Sequence, residues 1–185
     1  LNRTEGAGSD WTHLQWHMAV FEIAVGDWKA AFARFEREIL PVATHTNDAL
    51  TDGPAMAWRL WLSAPSPVEL PWEPLRATAV ENLGKHDSAH VELHGLLALA
   101  GARDVEALED WLRTRRHRKD ESSVLLAQLA VGFRAIAASD YELAASVLHS
   151  AVPRVSELGG SDAQNRLFGE IADDCWARAQ MRAAA

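Results

Sequence analysis

Apolar residues recur at three- and four-residue spacing along most of the chain, and no stretch alternates in the two-residue rhythm of a strand. The pattern predicts an all-α protein. A first helix opens at Ser9 or Asp10, either a competent N-cap, and runs to Val25; residues 1–9 form a flexible lead-in. Gly26 suits the left-handed position that ends a helix, and Asp27 can cap the next one. The second helix carries Trp28, Ala31, Phe32, Phe35 and Ile39 on one face, and Pro41 stops it. So short a connection forces the two helices into an antiparallel hairpin.

A polar loop is expected over 41–48, then a helix over 51–63 with Pro54 in its first turn. Four prolines (Pro65, Pro67, Pro71 and Pro74) lead into a helix over 72–83 ended by Gly84. Helices over 87–100 and 104–118 form a hairpin around Gly101, and helices over 120–138 and 140–158 form another. Ser161, with Gln164 three residues on, is a capping box that opens a last helix reaching Arg182. The total is about nine helices in one domain spanning 10–185.

Two hairpins share a spacing. Gly26-Asp27-Trp28, then Ala31 and Phe35, matches Ser139-Asp140-Tyr141, then Ala144 and Leu148. A small residue, Ala19 or Gly132, precedes each turn by seven positions and lets the paired helices approach closely. Interlocked small and large positions of this kind characterise tetratricopeptide-like antiparallel hairpins stacked as a short α-solenoid. The hairpin around Gly101 and Asp104 fits the pattern only loosely.

Composition narrows the function classes. A net charge of −8 argues against a phosphate-binding surface, so no nucleic acid is expected. The one basic run, from Arg113 to Lys119, closes a helix whose negative end it complements. No apolar stretch approaches the roughly 20 residues of a membrane span, so no membrane partner is expected either. A single cysteine, Cys175, excludes an internal disulfide and suits a cytoplasmic setting. Eight tryptophans against one tyrosine are a heavy dose; such rings fill gaps between helix layers or line a pocket.

His13-Leu14-Gln15-Trp16-His17-Met18-Ala19 followed by Gly26-Asp27 resembles the His-Asn-x-Trp-His-x-Ala and Gly-Asp/Glu signature of the tetratricopeptide repeat protein 38 family, which includes bacterial members. Ile39-Leu40-Pro41, Asp52 with Trp58-Arg59-Leu60, Glu92-Leu93-His94-Gly95, and Gly159-Gly160-Ser161-Asp162-Ala163-Gln164 with Phe168 resemble further family segments in the same order. The resemblance spans about residues 11–180 and corresponds to the C-terminal half of a typical member. Leu14 stands where the family has Asn, Glu92 where it has Asp, and Asn165-Arg166 where it has Arg-Asp. The family lacks a well-defined activity, so the resemblance implies fold more than function.

Candidate chemistry gathers on the same segments. His13 and His17 lie four apart on one helix face, and His86, His90 and His94 repeat that spacing on another. Facing pairs such as His13, His17, His90 and His94 can hold zinc or another divalent metal, with Asp52 or Glu92 nearby. Only His13, His17 and His94 match family positions, which favours a site without cofactor. There His17 and His94 are candidate general acid and base, Asp52 or Glu92 orients an imidazole, Arg59 holds an anionic group, and Trp16 and Trp58 exclude water or stack on a ligand. The structural alternative makes Asp52 a helix-terminal acid and Arg59 a link to a neighbouring helix. Gln164 can either cap its helix or present backbone amides to a ligand. No nucleophilic serine motif, phosphate loop or dinucleotide fingerprint occurs.

Three readings follow. One is a binding module holding a peptide or small molecule at an inner pocket lined by His13, Trp16, Trp58, Arg59, Glu92 and Gln164. Another is a small-molecule enzyme using His17 and His94 as general acid and base, either without metal or with a histidine-bound divalent metal. A third makes the chain a subunit that forms a homo-oligomer or meets a partner chain in place of the missing N-terminal half.

Overall fold

Among the residues described by the computed structural model (5–44, 50–85, 88–115 and 117–184), there are nine helices and no strand. Helix α1 spans Glu5–Ala24, so it starts upstream of the expected Ser9 or Asp10 cap. Helix α2 runs from Trp28–Arg34 through a π-turn at Phe35–Ile39 into Leu40–Ala43. Then come α3 (Asp52–Ser63), α4 (Trp72–Asn82), α5 (Ala89–Gly101), α6 (Val105–Arg115) and α7 (Glu121–Ala137). Helix α8 (Tyr141–Ala151) tightens at Pro153 into a 3₁₀ segment, Val152–Leu158, and α9 (Asp162–Ala183) ends the chain.

Pro41 does not stop α2. The Leu40 amide reaches back five residues to the Phe35 carbonyl, and the helix resumes with Pro41 in its new first turn, where a missing N–H costs nothing. The expected loop therefore loses residues 41–43 to the helix; of the remainder, 45–49 lie outside the described residues.

Three interhelical turns are built alike. Gly26, Arg103 and Ser139 all adopt left-handed backbone, with φ of 81°, 60° and 61°. In each, this residue's amide bonds a carbonyl three back, and the following Asp bonds one five back. Asp27, Asp104 and Asp140 then cap the next helix by accepting from Ala30, Ala107 and Leu143 amides at 2.9–3.1 Å. The middle hairpin is thus a full member of the set, turning at Arg103 rather than at Gly101. Left-handed backbone costs a residue with a Cβ roughly 1–2 kcal/mol. Two of the three turns accept that cost, and Arg103 also donates to the Ser139 hydroxyl, tying one turn to the next 36 residues on.

Helices α3 and α5 sit at the centre. Asp52 to Leu60 and Glu92 to Ala100 are buried at every position, as expected of helices surrounded on all sides. Helices α1, α5 and α9 pack on α3, while α4, α6 and α7 pack on α5. The hairpins therefore stack as a short solenoid, but α9 folds back onto α3 as well as α8. Over those windows α3 and α5 are covered by the helices around them. Trp11, Leu14, Met18 and Phe21 expose apolar surface along α1, and Val25 does so just beyond its end.

Close approach of α7 and α8 depends on Gly132, where an added Cβ would fall 2.6–2.7 Å from Leu148 carbons. Leu148 is fully buried and has little room to move. Gly132→Ala should lower stability by about 1–2 kcal/mol, overpacking outweighing the gain in helix propensity. Urea unfolding measures this; unchanged stability would mean that Leu148 can repack.

Candidate functional site

Asp52 is the first residue of α3, buried against α1. Its carboxylate lies 3.2 and 3.3 Å from Nδ1 of His13. Burial pushes the Asp52 carboxyl above its ordinary range, and the His13 charge and hydrogen bond, then His17, pull it back. A carboxylate accepts only, so the bond to Asp52 places the proton on Nδ1 of neutral His13 and leaves Nε2 as a lone pair. The His13 side chain is 47% exposed, so that lone pair is within reach of solvent. His17, one turn on, meets His13 edge-on at 4.7 Å between ring centres, and Trp16 lies 5.8 Å from His13 with the rings nearly parallel. Four-residue spacing on α1, facing the first turn of α3, thus brings His13, His17, Trp16 and Asp52 together.

Arg59 continues the cluster two turns along α3. Its guanidinium lies 5.5 Å from the Trp16 ring, donates to the Ala163 carbonyl, and meets Glu170 at 3.3 Å. Burial lowers its pKa, Glu170 opposes that, and Arg166 adds to it. Above it opens a cleft of about 470 Å3, with Val20, Ile23 and Ala24 of α1 on one side and Arg166 and Glu170 of α9 on the other.

His94 stands on α5. It is fully buried, edge-on to Phe168 of α9 at 5.7 Å and to His90 at 4.5 Å. Burial pushes it down to about 3, with the nearby His90 adding to the effect. Burial thus favours its uncharged form at neutral pH. Its Nδ1 donates to the His90 carbonyl at 2.8 Å, so Nε2 is a bare acceptor. His90 is also lowered by burial, and its ring rests on Gly160, where a Cβ would fall 2.6 Å from it.

Zinc ligation by His13, His17, His90 and His94 is not assembled. The spacing pairs rings within each helix, but α1 and α5 pack on α3, and no group of three or more metal-binding side chains converges among the described residues. His86 lies outside the described residues. Glu92 is a buried anchor that accepts from Trp111 Nε1 at 2.9 Å and from Arg115, fixing α6 to α5. Trp58 donates to the Leu97 carbonyl at 2.9 Å and fixes α3 to α5. Gln164 completes the capping box by accepting the Ser161 amide at 2.9 Å. All three bind other helices or their own.

No family model matches this sequence, and no solved structure matches the chain.

Five buried side-chain polar atoms have no protein partner among the described residues: Trp16 Nε1, Arg59 Nε, His90 Nδ1, His94 Nε2 and Asn165 Oδ1. They are linked by neighbouring contacts. Arg59 touches Trp16 and acts electrostatically on His94, which packs on His90, and His90 and Asn165 meet at Gly160. Two are donors and two are acceptors, a set suited to polar atoms of a guest. Sequence reasoning named Trp16, Arg59, His90 and His94 but missed the parts played by Glu170 and Arg166. Their only signal was a charged pair on the first turns of a helix already assigned to capping.

Burial of neutral His94 makes stability depend on pH. The unfolded chain protonates it below about 6.5 and the folded chain only near 3, so its contribution is complete above 6.5 and falls as pH drops. The loss approaches about 1.4 kcal/mol per pH unit, and His90 acts in the same direction. Asp52, being raised, acts oppositely, favouring the fold as it protonates. His94→Asn should therefore flatten the fall of the urea midpoint between pH 6.5 and 4. An unaltered slope would show that His94 is not buried neutral.

Proposed function

We propose that the chain is a tetratricopeptide-like helical-repeat binding module that holds a small organic anion at Arg59. The supporting observation is Arg59 itself. It is a desolvated guanidinium at the floor of the cleft between α1 and α9, bonded to the Ala163 carbonyl and to a half-exposed Glu170, and among the described residues its Nε has no hydrogen-bond partner. A carboxylate or phosphate there gains charge-assisted hydrogen bonds where competing water is scarce. Val20, Ile23 and Ala24 offer an apolar wall for the rest of the molecule. Coverage of α3 and α5 by the helices around them favours a small ligand over an extended peptide. Resemblance of the His13 to Asp27 segment to the tetratricopeptide repeat protein 38 family is consistent with the hairpin architecture but supplies no ligand.

The reading is tested by titrating short aliphatic carboxylates and phosphate monoesters while following thermal stability and binding heat. At least one should raise the Tm in proportion to its affinity. Arg59→Gln should weaken that ligand about tenfold or more, and Arg166→Ala, a more exposed change, should weaken it less. If none of these anions binds, or if binding survives Arg59→Gln, the proposal fails.

A second reading, a small-molecule enzyme, is favoured by the His13–Asp52 pair, in which a buried carboxylate holds an accessible imidazole in one tautomer. In it His13, beside His17, replaces His94 as the base. Nitrogen chemical shifts should report the Nδ1-protonated tautomer of His13 in the native chain and its loss in Asp52→Ala; an unchanged tautomer would remove this reading.

A further inference from the structure

Away from Arg59, a second cavity of about 620 Å3 is walled by aromatic rings. Trp58, held through its Nε1 bond to Leu97, meets Trp61 edge-on at 5.3 Å and Trp72 at 5.6 Å. Trp72 lies directly on Gly101, where a Cβ would fall 2.4 Å from ring carbons, so only glycine lets the indole settle on the end of α5. Tyr141, placed by the left-handed turn at Ser139, closes the opposite side. Trp61, Trp72 and Tyr141 are only partly buried and present ring surface to the cavity.

The charges around these rings are unbalanced in one direction. Arg178 stacks on Trp61 at 4.4 Å and is neutralised by Asp174 at 2.6 Å. Arg182 lies over Tyr141 at 4.8 Å and donates to the Ser139 carbonyl at 2.5 Å. Arg103 lines the cavity and donates to the Ser139 hydroxyl. Neither Arg103 nor Arg182 pairs with a carboxylate of the described residues. Glu69, exposed on the same lining, offsets one of them. In a chain of net charge −8, a cationic mouth over an aromatic floor is a local reversal.

We infer that this pocket binds a small planar aromatic carboxylate, its ring among Trp61, Trp72 and Tyr141 and its carboxylate on Arg103. Rings supply stacking area at low entropic cost, and the guanidinium supplies a planar fork that matches a carboxylate. A cationic aromatic would be repelled by Arg103 at the lining, and a neutral one would gain only an uncharged hydrogen bond from it.

The test uses 2-naphthoate as probe, with 2-naphthylmethanol and 2-naphthylmethylammonium as neutral and cationic counterparts, each titrated by calorimetry and tryptophan fluorescence. The naphthoate should bind saturably and about tenfold more tightly than either counterpart. Arg103→Gln, on an exposed side chain, should lower its affinity about tenfold, and Trp61→Ala should abolish it. Arg113→Gln, on an arginine paired with Asp110 elsewhere on the surface, should change nothing. Circular dichroism confirms that each variant is folded. Equal binding of the neutral or cationic compound overturns the inference, as does naphthoate binding that survives Arg103→Gln, which would place the probe at another cation such as Arg59. Absence of saturable binding overturns it too.

Discussion

Burial of α3 and α5 over nine consecutive residues each is the constraint from which the rest follows. A helix enclosed on every side satisfies its own backbone, but its polar side chains must find partners on the helices around it. Asp52, Arg59, Glu92 and His94 all stand within those two windows. Each draws in a particular neighbour: α1 through His13, α9 through the Ala163 carbonyl and Glu170, and α6 through Trp111 and Arg115. Among the described residues, His94 meets its own helix and the ring of Phe168. The polar residues of the core therefore set which helices pack where, while the apolar ones supply most of the favourable free energy.

That division separates residues that look alike in sequence. Glu92 and Asp52 are both buried acids, yet Glu92 receives a guanidinium and an indole N–H, whereas Asp52 receives one imidazole at the surface of α1. Glu92 is thereby fully engaged with structure, and Asp52 leaves a functional group accessible on the far side of its partner. Arg59 lies between the two cases, bound to α9 yet incompletely satisfied. The two cavities flank this frame, one with a charged floor and an apolar wall, the other with an aromatic floor and charged rim.

The helices and their caps were legible because periodicity and Asp, Ser and Gly at helix ends act locally. Asp27, Asp140 and the Ser161–Gln164 box perform as their spacing indicates. The turn at Arg103 was not legible, since its left-handed residue carries no glycine signature; the following Asp104 was the only cue. Nor was the continuation of α2 past Pro41, where a single π-turn substitutes for the bond proline cannot make. Within the site, the sequence identified His13, Trp16, His17, Asp52 and Arg59, which do adjoin one another. It could not place His94, because facing across helices depends on packing rotations that spacing along one helix does not encode. The aromatic cavity was visible only as an excess of tryptophan, with Tyr141 and Arg103 hidden in turns far apart in the chain.

The contact between Arg59 and Ala163 joins residues 104 positions apart. Chains emerge from the ribosome N-terminus first at about 5–20 residues per second, so α3 waits roughly 5–20 s for the helix that closes over it. During that interval the hairpins behind it can form from local contacts, but a guanidinium destined for the interior stays hydrated. The helix that dehydrates the centre is thus made long after the one it covers, and the nascent chain remains open at its core for that interval.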